Sequence, residues 1–223
     1  MITLEDVATE EFGSIWIEIK EGSLCKIITQ SEHEKQSFLD TILAFKKPAK
    51  GRVLLFDVDI YAANEKALNE VFHRIGMVWK DGGGLISNLK VWENIVLPVW
   101  YHKGKLPDDA EQKVADLFQE MGIDKSRLLK IMGILPGLLP AYEKKLICMV
   151  RSMLMEPDLM IYDAIFEGIN IEMAERLTKL TTQFHTKKPG RTSIYISSDE
   201  KSLHHLHTNL AFIQQGEGFT IWS

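Results

Sequence analysis

Residues 24–37 read LCKIITQSEHEKQS and place an apolar strand directly before a helix. The segment 24–29 is apolar and rich in β-branched residues, which predicts a buried strand. Apolar residues then recur at helical spacing through 32–45, and Ser31 and Glu34 have the spacing of a capping box at the start of that helix. A buried strand, a short loop and a capped helix together indicate an α/β fold.

Strand and helix patterns alternate on both sides of this unit. The predicted strands cover 14–20, 53–56, 75–79, 159–162 and 193–196, with a C-terminal hairpin at 210–213 and 218–222. The predicted helices cover 64–74, 108–121, 141–155 and 171–185, with one more that Ser197-x-x-Glu200 caps and that runs through His207. Because the middle of the chain is mostly helical, we expect one α/β domain over residues 1–223, with a core at about 1–84 and 156–223 and an inserted helical subdomain at about 85–155.

The composition is that of a soluble globular protein, with 45% hydrophobic and 26% charged residues in a chain of 223. A formal net charge of -5 gives no overall attraction to nucleic acid or to an anionic membrane, so neither is expected as a partner. Cys25 and Cys148 lie in apolar runs, which favours buried free thiols in a reducing compartment. The chain shows no secretion signal and no apolar run of about 20 residues, so we expect a cytoplasmic protein that associates with a membrane only through a partner.

Four segments, in order along the chain, resemble motifs of the ATP-binding-cassette (ABC) ATPase family. They are GRVLLFDVDI at 51–60, similar to the strand "G-x-V-x-x-x-G-x-D-I"; IGMVWK at 75–80, similar to the Q-loop "I-G-x-V-F-Q"; LISNLKVWENI at 85–95, similar to "L-x-x-x-L-T-V-x-E-N-V"; and EPDLMIYD at 156–163, similar to the approach to Walker B. The resemblance covers nearly the whole chain and implies a P-loop NTPase-like core with an inserted helical subdomain. Within the family, the motifs most resemble those of bacterial importer ATPases, including the lipid-trafficking branch.

The family's phosphate-binding loop, G-x-x-x-x-G-K-[ST], matches the stretch 29–37. In that loop backbone N–H groups cradle phosphate, and glycines permit its close approach. Here Lys35 is retained, but both glycines are replaced, and Glu32 and Glu34 add negative charge where a polyanion would sit. The resemblance assigns residual nucleotide contact to Thr29, Ser31, Lys35, Gln36 and Ser37. The residues themselves leave a second interpretation open, a plain helix capped by Ser31 without an anion site.

Most other catalytic positions of the family are substituted as well. Lys80 stands at the Q-loop glutamine, Ser198 at the H-loop histidine and Asn170 at the D-loop aspartate, while Asp163 keeps Walker B but is followed by Ala164 in place of the catalytic glutamate. The resemblance adds Lys80, Asp163 and Ser198 to the candidate nucleotide contacts. No aromatic residue can be assigned to adenine stacking, and Phe12 is the nearby candidate.

The signature motif L-S-G-G is matched by Leu139, Pro140, Ala141 and Tyr142. In the family, the amides of this motif face the γ-phosphate that is bound by the other subunit. Pro140 lacks an amide donor, although proline is also simply favourable at a helix start. Because the phosphate-loop side and the signature side are both altered in one chain, we expect that no partner restores a fully equipped composite site.

These substitutions predict a structural or regulatory cassette-like subunit that does not hydrolyse ATP, with no catalytic residue, metal site or bound cofactor. Two alternatives remain open. One is a functional or slow ATPase subunit in which Lys35 and Asp163 still support ATP and magnesium, and the other is a binding module that reuses the fold without a transporter. The partners implied by the resemblance are a membrane permease, another ABC ATPase subunit or both, and a dimer is expected.

The segment 85–101 follows the Q-loop match, where the family contacts its permease. Leu85, Trp92, Trp100 and Tyr101 are the predicted docking residues, because large aromatic side chains anchor many interfaces. The alternative is that Leu85, Leu89, Trp92 and Leu97 fill the core of the helical segment.

Overall fold

The computed structural model describes residues 1–221, except the side chain of Lys103. The strands are β1 (Ile2–Ala8), β2 (Ile15–Ile19), β3 (Leu24–Ile28), β4 (Lys50–Leu55), β5 (Val58–Asp59), β6 (Ile75–Val78), β7 (Leu159–Asp163), β8 (Thr192–Ser197), β9 (Leu210–Gln215) and β10 (Gly218–Ile221). The α-helices are α1 (Glu32–Ile42), α2 (Glu65–Phe72), α3 (Val91–Lys103), α4 (Ala110–Glu120), α5 (Lys125–Met132), α6 (Ala141–Leu154) and α7 (Ile171–Lys187). The chain divides into two compact units, Met1–Ile75 together with the segment from Pro189 onward, and Gly76–Lys188.

The first unit contains an antiparallel sheet with the strand order β2-β1-β4-β5. Ile2 of β1 lies opposite Ile19 of β2 and Leu55 of β4. Burial alternates along β2, whose isoleucines are buried while Trp16 is exposed. This alternation is expected of a strand with one face on a core and the other on solvent.

The same unit also contains parallel strands. β3 pairs in parallel with β8 and β9, and Cys25 lies opposite Ile194 and Leu210, while β9 pairs with β10 as an antiparallel hairpin. Three residues separate the end of β3 from helix α1, which buries Phe38, Leu39 and Ile42. This is the strand and helix that residues 24–45 predict.

The second unit combines β6 and β7, which are neighbouring strands, with the helices α3 to α7. Every residue of β7 is buried, as is typical of a strand covered on both faces. Helix α6 is buried along most of its length and packs against α3 and α4. No helix among residues 1–221 combines the length and the apolar character that crossing a membrane requires.

The predicted strands and helices, except the helix through His207, are confirmed as elements, with ends that differ by a few residues. The mixed α/β class and the mostly helical middle of the chain are confirmed too, whereas the treatment of 85–155 as a separate subdomain stays a prediction. Strands β1 and β5 and helices α3 and α5 were not predicted as individual elements. The hairpin is confirmed for its described part, and its predicted end at Trp222 lies outside the described residues. Both cysteines are buried free thiols.

The predicted helix through His207 is wrong. Ser197 ends β8, and its hydroxyl accepts the Asp199 N–H at 2.9 Å, so it caps no helix. Asp199 instead caps a single 3₁₀ turn, Glu200–Leu203. Leu203 in this turn and Leu206 after it are buried, and Asn209 exchanges hydrogen bonds with Leu24 of β3 at 2.9 and 3.0 Å, so the chain turns into β9 instead of continuing as a helix.

Candidate functional site

The stretch matched to the phosphate-binding loop is a short connection followed by a helix. Only Thr29, Gln30 and Ser31 separate β3 from α1, so Lys35 is the fourth residue of the helix. Ser31 caps α1, because its Oγ accepts the Glu34 N–H at 3.2 Å and its hydroxyl donates to Glu34 Oε2 at 2.8 Å. The local structure is therefore the predicted capped helix. The Glu34 carboxylate accepts its hydrogen bond from the Ser31 hydroxyl, whereas in a standard capping box it would accept one from the backbone N–H of the cap residue.

Glu32 joins the matched phosphate-loop lysine to the matched H-loop position. The Lys35 side chain is completely buried, and its Nζ lies 2.8 Å from Glu32 Oε1. The other carboxylate oxygen, Oε2, accepts the Ser198 hydroxyl at 3.1 Å. We call this arrangement the Lys35–Glu32–Ser198 bridge. The Glu32 carboxylate thus binds two of the side chains that the family resemblance assigns to nucleotide contact.

Two further carboxylates surround the first turns of α1. Glu34 Oε1 accepts an N–H from the Gln214 amide at 2.9 Å, and Gln214 Oε1 accepts the Gln30 N–H at 3.2 Å. Glu11, on the loop after β1, accepts the Ser37 hydroxyl at 2.6 Å. That hydrogen bond is the main reason why the pKa of Glu11 lies below its ordinary value. Gln214 and Glu11 were not predicted, since neither belongs to a motif near α1.

The remaining candidates of this stretch have local partners. The Thr29 hydroxyl donates to the Ser31 carbonyl at 3.1 Å, and Gln36 Nε2 donates to Asp40 Oδ1 at 2.7 Å, one turn further along α1. These contacts orient the Gln36 amide along the helix surface.

Phe12 is a core residue and does not offer a ring face for stacking. It is 2% exposed, and its ring centroid lies 6.4 Å from that of Phe38 and 6.1 Å from that of Phe219. The edge-on geometry of both contacts is the arrangement that aromatic pairs favour. Phe12 as the adenine-stacking candidate is therefore wrong, because its own core covers the ring.

In the second unit, Lys80 and Asp163, the residues at the Q-loop and Walker B matches, lie together. The Lys80 backbone N–H donates to Asp163 Oδ2 at 3.1 Å, and the Lys80 ammonium lies 2.7 Å from Glu167 Oε2. Ala164, directly after Asp163, has a left-handed backbone with φ of 46°. Lys80 thus contacts both ends of the turn 163–167.

A second lysine, Lys145 of α6, binds the same turn. Its ammonium donates to the carbonyl oxygens of Ala164 at 3.3 Å, Ile165 at 3.3 Å and Glu167 at 3.1 Å. We call these three carbonyls the carbonyl cage. Burial lowers the pKa of Lys145, while the charges of Glu167, Asp163 and Asp81 act in the opposite direction.

The signature match forms the start of α6. Pro140 is the N-cap with φ of -64°, and Ala141 and Tyr142 open the helix as exposed residues, while Leu139 is buried. The carboxylate that occupies this helix start is Glu143, which is buried and accepts two hydrogen bonds from Arg127, at 2.8 and 2.7 Å. A carboxylate in the first turn is favoured by the positive end of the helix dipole. The D-loop match Asn170 similarly caps α7, accepting the Met173 N–H at 2.8 Å.

The glycine turn 82–84 and the segment after it are anchored within the second unit. Cys148 Sγ lies 3.3 Å from the Gly83 carbonyl, and Arg151 donates to the Gly84 carbonyl at 2.5 Å, so the turn follows one face of α6. The buried Asn94 side chain accepts the Ile86 N–H at 2.7 Å and donates to the carbonyls of Ile86, Leu89 and Lys90 at 2.9–3.1 Å. Asn94 therefore holds residues 86–90 in place before α3 begins.

The predicted docking residues differ in exposure. Trp100 and Tyr101 are 59% and 78% exposed, whereas Leu85 and Trp92 are half-buried. Trp92 lines a groove of about 600 Å³ together with residues of α4 and α5, among them Val114, Leu128 and Leu129. Leu89 and Leu97 are half-buried like Leu85 and Trp92, so docking and core filling both stay predictions for this segment.

No protein-family model matches the chain. Among curated proteins, it is 24% identical over 212 residues to the methionine import ATP-binding protein MetN of Rhizobium meliloti (strain 1021), covering 95% of this chain and 57% of that protein. It is 22% identical over 186 residues to the ABC transporter ATP-binding protein YtrE of Bacillus subtilis (strain 168), covering 83% of this chain and 77% of that protein. The chain thus spans little more than half the length of MetN.

Two solved structures share the fold over almost the whole chain. The ATP-binding cassette MJ0796, in a dimeric post-hydrolysis state bound to ADP and Pi, has a TM-score of 0.81 at 18% identity, covering 98% of this chain and 96% of that chain. CbiO1 from Clostridium perfringens, described as part of the ABC transporter complex cbiONQ, has a TM-score of 0.77 at 20% identity, covering 98% and 86%. The nearer relation to lipid-trafficking importers stays a prediction. The motif order, the sequence relatives and the fold agree: the chain is similar to ABC transporter ATP-binding proteins over nearly its whole length and shares the fold of the ATP-binding cassette.

Proposed function

We propose that this chain is a non-hydrolysing cassette subunit of an ABC-type transport assembly, with a structural or regulatory role. The observation that supports the proposal is the Lys35–Glu32–Ser198 bridge. In this bridge the Glu32 carboxylate forms an ion pair with the lysine that would otherwise bind phosphate. A nucleotide phosphate would have to displace Glu32 from a completely buried ammonium before it could bind there.

Electrostatics add to that competition. A phosphate near Lys35 would approach Glu32, Glu34 and Glu11, which all lie around the first turns of α1. Two like unit charges about 4 Å apart repel by roughly 4 kcal/mol at an effective dielectric constant near 20, and solvent screening lowers this figure for the half-exposed Glu32. Lys46 Nζ lies 3.7 Å from Glu11 and offsets part of its charge, so the repulsion of a polyanion rests mainly on Glu32 and Glu34.

The second unit supports the same proposal. Ala164 follows Asp163 without a carboxylate to activate water, and loss of a general base alone costs about 10²–10⁴-fold in rate. At the signature match, Glu143 already occupies the helix start with Arg127, and Pro140 has no amide to offer. Neither half of the family's composite site is equipped for phosphoryl transfer.

We expect the purified protein to show no ATP turnover and no heat of binding when magnesium-ATP is titrated into it in a calorimeter. The reason is that Glu32 satisfies Lys35 and that no residue stands in for the catalytic glutamate. Turnover that disappears in both Lys35→Ala and Asp163→Ala would contradict the proposal and would favour a working ATPase subunit. Turnover that neither substitution changes comes from a contaminating enzyme.

The same titration on Glu32→Ala tests whether the bridge is the cause. Removing the carboxylate frees the Lys35 ammonium, so affinity for inorganic phosphate or magnesium-ATP should rise by about tenfold or more over the wild type. Glu65→Ala is the matched control, because Glu65 is the first residue of α2 as Glu32 is of α1. Equal affinities in the wild type and both variants would show that Glu32 does not control anion access.

We further propose that residues 85–101 dock a membrane permease, with a second cassette subunit as an additional partner. Asn94 orders residues 86–90, so a partner would bind a segment that needs little further ordering. Trp100 and Tyr101 offer exposed aromatic surface, and Trp92 lines the adjacent groove. MetN and YtrE are named as transporter ATP-binding proteins, and CbiO1 as part of a transporter complex, which supports a permease as partner.

Co-expression of the chain with the permease encoded beside it provides the measurement. We expect Trp100→Ala and Trp92→Ala each to reduce recovery of the permease in a pull-down by about tenfold, because tryptophans that a partner buries are typical interface hot spots. Trp16→Ala is the matched control, since Trp16 is 67% exposed on β2 in the other unit. Unchanged recovery with both variants, at unchanged folding by circular dichroism, would rule out this docking segment.

A further inference from the structure

The turn 163–167 in the second unit has the chemistry of a cation site. Its carbonyl cage directs three backbone oxygens, of Ala164, Ile165 and Glu167, at one point. We propose that this turn is a binding site for an ammonium ion, and that the chain fills it permanently with its own Lys145. The proposal goes beyond the proposed function, because it concerns what shapes the turn, whether or not ATP is hydrolysed.

The number of donors on Lys145 matches the number of acceptors in the carbonyl cage. An ammonium group carries three N–H donors and no acceptor, and Lys145 finds three carbonyl acceptors at 3.1–3.3 Å. The residue is 5% exposed, and a buried charge persists only where it is paired and hydrogen-bonded. The distances suit N–H···O hydrogen bonds, whereas a calcium or magnesium ion would need oxygens at about 2.0–2.6 Å.

The backbone conformation of the turn also fits an ammonium at the position of Lys145 Nζ. Ala164 adopts φ of 46°, a left-handed conformation that residues with a Cβ rarely take. That conformation brings two successive carbonyls, of Ala164 and Ile165, onto one ammonium. An observed strain of this kind needs a compensating contact, and the Lys145 hydrogen bonds supply it.

The surrounding charges favour a cation as the occupant. Glu167, Asp163 and Asp81 act on Lys145 as attracting charges, and Lys80 opposes them. Lys80 is itself held by Glu167 at 2.7 Å and by the hydrogen bond from its backbone to Asp163. Two lysines of the second unit thus order the segment after Asp163, which therefore requires no added ion.

Chemical rescue of Lys145→Ala tests the site. We expect this variant to melt about 5 °C or more below the wild type, and the amides of 164–168 to exchange about tenfold faster, because three carbonyls lose their donors. Methylammonium chloride should restore at least half of both losses by binding the vacated cage, whereas tetramethylammonium chloride, which has no N–H donors, should restore neither at equal concentration. Lys144→Ala, the preceding residue of α6, is the matched control and should match the wild type.

Lys145→Met keeps the test decisive if Lys145→Ala does not fold. Methionine fills a similar volume without donors, so we expect fast exchange at 164–168 that methylammonium does not slow. Wild-type protection of these amides in Lys145→Met, or equal rescue of Lys145→Ala by the two salts, would overturn the proposal. These readouts are independent of nucleotide, so they can fail while the absence of ATP turnover stands.

Discussion

Phe12→Ala should lower the free energy of unfolding by about 3–5 kcal/mol, the usual cost of truncating a buried phenylalanine. Phe12, Phe38 and Phe219 form one aromatic cluster, and the ring centroids of Phe38 and Phe219 lie 5.6 Å apart. Removing the Phe12 ring leaves a cavity between the helix α1 and the strand β10, which packed side chains cannot fully close. Urea denaturation followed by circular dichroism measures the change.

Phe45→Ala is the control for this experiment, because Phe45 is 69% exposed at the end of the α1 region. A surface substitution of this kind changes stability by about 0.5 kcal/mol or less. If Phe12→Ala unfolds at the wild-type urea concentration, the ring is not a core residue and adenine stacking becomes possible for it again.

Gly82→Ala should destabilise the protein by about 3 kcal/mol. The φ of Gly82 is 64°, a left-handed conformation that costs a residue with a Cβ roughly 1–2 kcal/mol. An added Cβ would also lie 2.6 Å from the backbone of Lys144 and Lys145, and overpacking of this kind costs about 1–3 kcal/mol more. Backbone atoms of α6 cannot move aside as a flexible side chain can.

Gly83→Ala separates this clash from a general effect of alanine in the turn. Gly83 has no positive φ, and its added Cβ would meet Trp79 at 3.8 Å, an ordinary van der Waals distance. We therefore expect Gly83→Ala to unfold within about 0.5 kcal/mol of the wild type. Equal losses in the two variants would mean that the turn does not rest on α6 as described.

Short-range patterns predicted much of the secondary structure, because hydrophobic periodicity and capping act within a few residues. Ser31 and Glu34 are three positions apart, so the start of α1 was visible in the sequence. The same reasoning failed at Ser197 and Glu200, where the spacing matches but the pairing of Asn209 with Leu24 of β3 leads the chain into β9 after a single 3₁₀ turn. A capping pattern shows that a helix can begin, and only packing decides whether it continues.

Motif matching located the candidate site but not the partners of its side chains. It identified Lys35, Lys80, Asp163 and Ser198 as positions that contact nucleotide in the family. It did not indicate that Glu32 reaches Ser198, because those residues are 166 positions apart. Gln214 and Glu11 were missed for the same reason, since they reach α1 from 180 and 26 positions away.

The sequence by itself indicated the resemblance to ABC ATPases, most of the strands and helices, and the motif positions at which this chain carries other residues, because these properties reside in local residue types and spacing. The tertiary structure alone decided where the charges go. Glu32 forms an ion pair with Lys35, and Glu143 forms one with Arg127. The carbonyls of Ala164, Ile165 and Glu167 accept hydrogen bonds from Lys145. A buried charge is stable only when an oppositely charged or polar group lies within hydrogen-bond distance. Which group lies that close is decided by the packing of segments that are remote in sequence.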